Sequence, residues 1–152
     1  MKRILIDMDK CDGCLNCSIA CMQAHRADHK TSSVYDLDLT DTANESRNTI
    51  LLDSQEHYIP LFCRHCDEPE CVKACMSGAM TKDENSGQVC YDEDKCGACF
   101  MCVMNCPYGV LKPDDNERKR VIKCDFCEDD EEGPNCVRAC PTGAIYIEEV
   151  AK

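Results

Sequence analysis

Sixteen of the seventeen cysteines in this 152-residue chain fall into four groups of four, each closing with two cysteines that have three residues between them. The groups are Cys11, Cys14, Cys17, Cys21; Cys63, Cys66, Cys71, Cys75; Cys96, Cys99, Cys102, Cys106; and Cys124, Cys127, Cys136, Cys140. Nothing else constrains the fold as strongly, because the chain has little other material for a core. It has no Trp, 3 Phe, and 24 Val, Ile and Leu together, and its hydrophobic fraction of 43% includes the cysteines. So little aliphatic surface cannot offset the conformational entropy of the chain. Whatever the thiols hold must therefore organise the interior, and without it the chain is expected to be largely unfolded.

Three kinds of thiol chemistry compete. Disulfides require an oxidising compartment. The opening Met1-Lys2-Arg3-Ile4-Leu5-Ile6-Asp7 has too short an apolar stretch for a signal peptide and reaches a cysteine group by Cys11. Zinc sites use cysteine pairs, whereas the first and third groups here read C-x2-C-x2-C-x3-C. That run places three thiols within seven residues and is the spacing that holds 4Fe-4S clusters. Four quartets thus predict four 4Fe-4S clusters, with the sixteen cysteines as iron ligands. No segment approaches the roughly 18 consecutive apolar residues of a membrane span, and no twin-arginine signal precedes the first quartet. The expectation is a soluble, cytoplasmic chain without direct membrane insertion, although a partner bearing a signal could carry it across a membrane.

Formal charge is -12, and four oxidised clusters bring the total to about -20. Phosphate would be repelled, so nucleic acid is excluded as a partner. Redox partners should present Lys and Arg, in an association that weakens with salt.

Behind the quartets the sequence repeats itself. Cys71-Val-Lys-Ala-Cys75-Met-Ser-Gly-Ala-Met80 matches Cys136-Val-Arg-Ala-Cys140-Pro-Thr-Gly-Ala-Ile145, and Cys102-Val-Met-Asn-Cys106-Pro-Tyr-Gly-Val-Leu111 is a third copy. Each copy predicts a helical turn, a glycine in a conformation closed to other residues (Gly78, Gly109, Gly143), and then a strand. The first quartet has Ala24 in the glycine's place, so a longer helix is expected over Ser18 to Asp28. Strands are predicted at Val34 to Leu39, Thr49 to Leu52 and Tyr58 to Leu61, and hairpins at 85–87 and 113–116. Arg3 to Asp7 is expected to pair with Ala144 to Glu148.

In two-cluster ferredoxins three cysteines of a run bind one cluster and the fourth reaches the other, so quartets work in pairs. Pairing the first with the second and the third with the fourth is one arrangement. Quartets 2 and 3, however, lie only twenty residues apart, while a long insertion strands quartet 1. The favoured scheme nests 2 with 3 inside 1 with 4. Its ligand sets are Cys63, Cys66, Cys71, Cys106; Cys96, Cys99, Cys102, Cys75; Cys11, Cys14, Cys17, Cys140; and Cys124, Cys127, Cys136, Cys21. The expected fold is α+β, with two ferredoxin-like dicluster modules of short helices and β-hairpins, one nested within the other. Residues 1–30 and 115–152 form the outer module, 31–62 an insertion or linker, and 63–114 the inner module.

The runs Cys63-Arg-His-Cys-Asp-Glu-Pro, Cys99-Phe-Met-Cys-Val-Met-Asn-Cys-Pro-Tyr-Gly-Val and Lys123-Cys-Asp-Phe-Cys, with the Cys71 repeat, resemble the four-cluster ferredoxin-like subunits of multisubunit oxidoreductases. Within that group the chain is most similar to the iron-sulfur subunit accompanying carbon monoxide dehydrogenase. The resemblance implies an electron-transfer subunit of anaerobic metabolism, without its own substrate site, whose nested cluster pairing agrees with the scheme above. It would relay single electrons between a catalytic oxidoreductase subunit and a flavoprotein, hydrogenase or ferredoxin. Similar subunits serve aldehyde, formate and molybdopterin oxidoreductases. Two features depart from the pattern: Met22 and Met76 replace the proline that follows the last cysteine in quartets 3 and 4, and residues 128–135 form an acidic spacer. That spacer is either a mobile negative loop lowering one cluster's potential or ordinary solvated surface.

A stand-alone iron-sulfur reductase would need a cluster short of one cysteine, and sixteen thiols fill sixteen positions. No dinucleotide fingerprint or phosphate loop is present. Cys90 reads as a small buried hydrophobe, with ligation of an unusual cluster as the alternative. His65, between two ligands, either donates to cluster sulfur or faces solvent. His25, His29 and His57 show no ligand spacing, and Phe100 and Tyr108 are expected to shield a cluster or pack in the core.

Overall fold

Among the described residues three of the four α-helices stop after a single turn, and a glycine turn follows each of the three. In the computed structural model, which describes residues 2–26 and 33–150, α2 (Glu70–Lys73), α3 (Met101–Met104) and α4 (Asn135–Arg138) each span four residues. Each leads into a tight turn in which Gly78, Gly109 or Gly143, at φ 72°, 59° and 64°, donates to the carbonyl of the quartet's last cysteine. The first quartet, lacking that glycine, carries the nine-residue α1 (Asn16–Ala24). This helix ends earlier than the predicted Ser18 to Asp28, whose last residues, with His29, lie outside the described ones.

Among the described residues the strands make four two-stranded antiparallel sheets. β1 (Lys2–Ile6) pairs with β8 (Ile145–Glu149), Ile4 opposite Ile147, so the expected terminal pairing is present. β2 (Thr49–Leu52) pairs with β3 (Tyr58–Leu61), β4 (Met80–Lys82) with β5 (Val89–Tyr91), and β6 (Lys112–Pro113) with β7 (Val121–Ile122). The two predicted hairpins are the β4/β5 and β6/β7 turns. The strand expected at Val34 to Leu39 is absent: Val34–Asp36 is a single 3-10 turn, because Ser33 caps the Tyr35 N–H and Asp38 holds Thr40. Such local side-chain bonds compete with strand pairing.

Two apolar clusters form the interior, and cysteine contributes to both. One gathers Ile4, Cys17, Phe62, Phe126, Cys136 and Ile145; the other gathers Cys63, Met80, Cys102, Val110, Leu111 and Val121. The first therefore draws on quartets 1 and 4 and the second on quartets 2 and 3. The insertion folds back onto α1: Asn44 donates to the Met22 carbonyl at 2.9 Å, and Asn48, 2% exposed, accepts from Ser18 at 2.6 Å. Among the described residues no helix is long and apolar enough to cross a membrane.

Gly13 has φ 69°, and a Cβ there would run into the Tyr58 ring. Gly143 has φ 64° but open space around it. Gly143→Ala is expected to cost about 1–2 kcal/mol for the left-handed backbone alone. Gly13→Ala carries the same cost plus displacement of an aromatic ring. Anaerobic thermal unfolding of the two variants should show the larger loss for Gly13→Ala, with Tyr58→Ala recovering part of the difference.

Candidate metal centres

Helix packing decides which thiols meet. α1 packs on α4 and α2 on α3, so each Cys-x3-Cys segment lies against that of another quartet. One cavity is lined by Cys124, Cys127, Cys136 and Cys21, and another by Cys63, Cys66, Cys71 and Cys106. Each takes three thiols from one quartet and the last thiol of the opposite quartet. Some of the remaining thiols also lie within electrostatic reach of thiols from another quartet. Cys14 feels the charge of Cys140, and Cys17 that of Cys14 and Cys11. Cys102 faces Cys75 and Cys96, while Cys99 stands exposed on the loop leading to α3.

Contacts between groups give them an order. Cys124 faces both Cys63 and Cys21, and Cys136 faces Cys17. The two cavities are thus neighbours, and Cys17 of the first quartet lies near the one lined by Cys124, Cys127, Cys136 and Cys21. Cys75 and Cys102 lie within electrostatic reach of each other where α2 packs on α3. The thiols lining these two cavities are buried or half-buried, whereas Cys14 and Cys99 are exposed.

The loops supply more than sulfur. The residue immediately before the second cysteine of every quartet is left-handed: Gly13 at φ 69°, His65 at 45°, Ala98 at 50° and Phe126 at 64°. Only one of the four is glycine, so three side chains are held in a region that costs of order 1–3 kcal/mol. Left-handed kinks of this kind turn successive N–H groups toward a common point, a nest suited to anions. Backbone donors already reach sulfur: Arg47 N–H to Cys21 Sγ at 3.2 Å, Met80 N–H to Cys75 Sγ and Phe126 N–H to Cys124 Sγ, both at 3.4 Å.

Burial pushes the Cys17 and Cys71 thiols up to about 11 and Cys136 to about 12, and raises Cys124 strongly. Without metal these thiols hold their protons, so metal must displace them and binding strengthens as pH rises. Cys75 and Cys140 run the other way. Burial opposes ionisation there too, but backbone N–H donors and the hydroxyls of Ser77 and Thr142, each 3.6 Å from sulfur, bring them below the usual thiol range.

Several charged groups around the cavities carry no spacing signal in the sequence. The Lys123 ammonium is buried, donating to the Val89 carbonyl and, at 2.6 Å, to that of Cys124. Lys82 donates to the carbonyls of His65, Cys66 and Gly87 at 3.0, 2.7 and 2.6 Å. Both pin cysteine loops by their backbone. His25, set aside from spacing alone, lies 3.0 Å from Asp125 and 3.8 Å from Cys21 Sγ. Burial lowers its pKa, but Asp125 and Cys21 outweigh that and raise it to about 10. His57 pairs with Asp53 at the surface, away from the thiols.

His65 is 4% exposed, which removes the solvent-facing alternative. Cys90 is only half-buried, opposite Thr81 on β5, so it is not the buried hydrophobe expected. Tyr108 lines the Cys63 cavity under the Arg64 guanidinium, 4.2 Å from its ring centre, and Phe100 packs against the second apolar cluster. The acidic spacer is tied down: Asp130 pairs with Arg138 of α4 at 3.2 Å and Glu132 pairs with the same arginine.

A family model described as "4Fe-4S dicluster domain" matches residues 54–150. The chain is 37% identical over 146 residues to the B subunit of the anaerobic dimethyl sulfoxide reductase of Escherichia coli (strain K12), covering 92% of this chain and 69% of that protein. It is 35% identical over 147 residues to the NADH-dependent phenylglyoxylate dehydrogenase subunit beta of Aromatoleum evansii, covering 93% of this chain but spanning only 29% of that protein. Among solved structures it is similar to the active site complex BamBC of benzoyl coenzyme A reductase in complex with zinc. There the TM-score is 0.53 at 26% identity, covering 100% of this chain and 82% of its counterpart.

Proposed function

Because the chain belongs to the 4Fe-4S dicluster domain family, we propose that it is an electron-transfer subunit relaying single electrons through four 4Fe-4S clusters within an oxidoreductase complex. One observation carries this reading. Two adjacent cavities are each lined by three cysteines of one quartet and the closing cysteine of another, the crossed donor set of paired clusters. The all-thiol donors, the N–H groups already aimed at sulfur and the surrounding apolar side chains fit such a group. Two of the four expected ligand sets line these cavities, and the other two are proposed with them.

A bound 4Fe-4S cluster takes up and releases one electron with little rearrangement. The chain's residues do the rest. Cys124 stands between the two inner sets, facing Cys63 and Cys21, which holds the centres close. Phe62, Phe126, Val110 and Leu111 exclude water from them. Arg47, Lys82 and Lys123 place positive charge beside thiolates whose clusters are negative overall. Electrons enter and leave at the outer sets, where Cys14 and Cys99 reach the surface.

The catalytic partner is an oxidoreductase subunit. The relatives bear the names of dimethyl sulfoxide reductase and phenylglyoxylate dehydrogenase, and a further one, 31% identical over 165 residues, is hydrogenase-2 operon protein HybA of Escherichia coli O157:H7, half of which the chain spans. Carbon monoxide dehydrogenase as the specific partner rests on the sequence resemblance alone. Anaerobic affinity purification from the native host tests both levels. The chain should carry about sixteen irons, absorb as a brown iron-sulfur protein, and bring down a catalytic oxidoreductase whose binding weakens as salt rises. Recovery with zinc and no iron overturns the relay. Recovery with a molybdenum or tungsten enzyme in place of a nickel one overturns only the carbon monoxide dehydrogenase assignment.

A further inference from the structure

Buried polar atoms are almost always hydrogen-bonded, and one beside the thiols has no partner. His65 Nδ1 accepts the backbone N–H of Val89 at 3.0 Å, which puts the ring hydrogen of the neutral imidazole on Nε2. Nε2 is buried and makes no hydrogen bond. The ring cannot easily turn away: its edge meets Phe126 with centroids 5.7 Å apart and planes at 86°. Its backbone is held left-handed, uncommon for any residue other than glycine. His65 lines the cavity with Cys63, Cys66, Cys71 and Cys106. An unmatched buried donor on a residue that lines a thiol-lined cavity calls for an acceptor there, and a bound cluster would offer sulfur.

We propose that the Nε2–H of His65 donates a hydrogen bond to sulfur of the 4Fe-4S cluster held by Cys63, Cys66, Cys71 and Cys106, and so raises that cluster's reduction potential. The sign follows from charge, since reduction adds an electron and a donor stabilises the more negative state. This rests on the ligand set proposed above. His65 is a positioning and tuning residue, not a ligand.

The test uses the full chain, prepared anaerobically, with reduction followed by EPR-monitored potentiometry and iron counted in every sample. His65→Phe keeps a ring but has no donor; His65→Asn keeps a donor and tolerates the left-handed backbone. The Phe variant should make one cluster about tenfold harder to reduce, a downward shift of about 59 mV for one electron, with the other three unmoved, and Asn should recover part of it. A Phe variant with full iron and four unchanged potentials overturns the proposal. If the Phe variant does not fold, a His25→Gln chain with 15N-labelled histidine, free of the other imidazole beside a thiol, gives the answer: pulsed EPR should show 15N coupling to a reduced cluster, and its absence overturns the proposal. Cys71→Ala separates the two readings. If the cluster that shifted in the Phe variant survives this substitution, the ligand set is wrong and the proposal falls with it.

Discussion

Stripping iron from the purified chain under anaerobic conditions, with the thiols kept reduced, is expected to unfold it. Three helices span four residues each and the longest sheet partners five, far below the length at which isolated helices or hairpins hold together in water. The apolar clusters draw cysteine into their own membership, at Cys17 and Cys136 in one and Cys63 and Cys102 in the other. Once metal is gone, the buried thiols carry no link between the quartets, and α1 has only packing to hold it to α4. Far-UV circular dichroism should lose most of its signal and the cooperative thermal transition should vanish, as for small metal-organised domains. Retention of near-native dichroism by iron-free, disulfide-free protein would show that the polypeptide organises itself.

The crossed ligand sets predict an equally large effect from single cysteines. Cys106 belongs to the third quartet in sequence but lines the cavity of the second, whereas Cys102 faces Cys75. Cys106→Ala should therefore abolish or convert the same EPR signal as Cys71→Ala, and Cys75→Ala the same one as Cys102→Ala. Roughly a quarter of the iron is at stake in each case. If Cys106→Ala instead matches Cys102→Ala, the quartets bind without crossing and the nested arrangement is wrong.

Much of this architecture is legible in the residues. Glycine at the third position after the last cysteine predicts the one-turn helices, and its replacement by Ala24 predicts the long α1. Both hairpins and the β1/β8 pairing follow from alternation and turn residues. Local capping defeats the prediction at 34–39, where Ser33 and Asp38 bond to nearby backbone and side chains; the Ser-x-Tyr and Asp-x-Thr spacings are the signal for it. The surroundings of the thiols are legible only in part. His25 meets Asp125 across one hundred residues and Lys123 reaches Val89 across thirty-four, separations that no periodicity encodes. The left-handed positions at His65, Ala98 and Phe126 are hidden for another reason. They carry ordinary side chains, so the usual glycine marker appears only at Gly13.

The exposure of Cys14 and Cys99, set against the enclosure of Cys21 and Cys63, has a consequence for survival in air. An opening that admits a redox partner admits dioxygen equally well, so corrosion should begin at the two extremities and work inward. A specimen briefly exposed to oxygen would then keep its middle pair intact while already insulated from everything it serves.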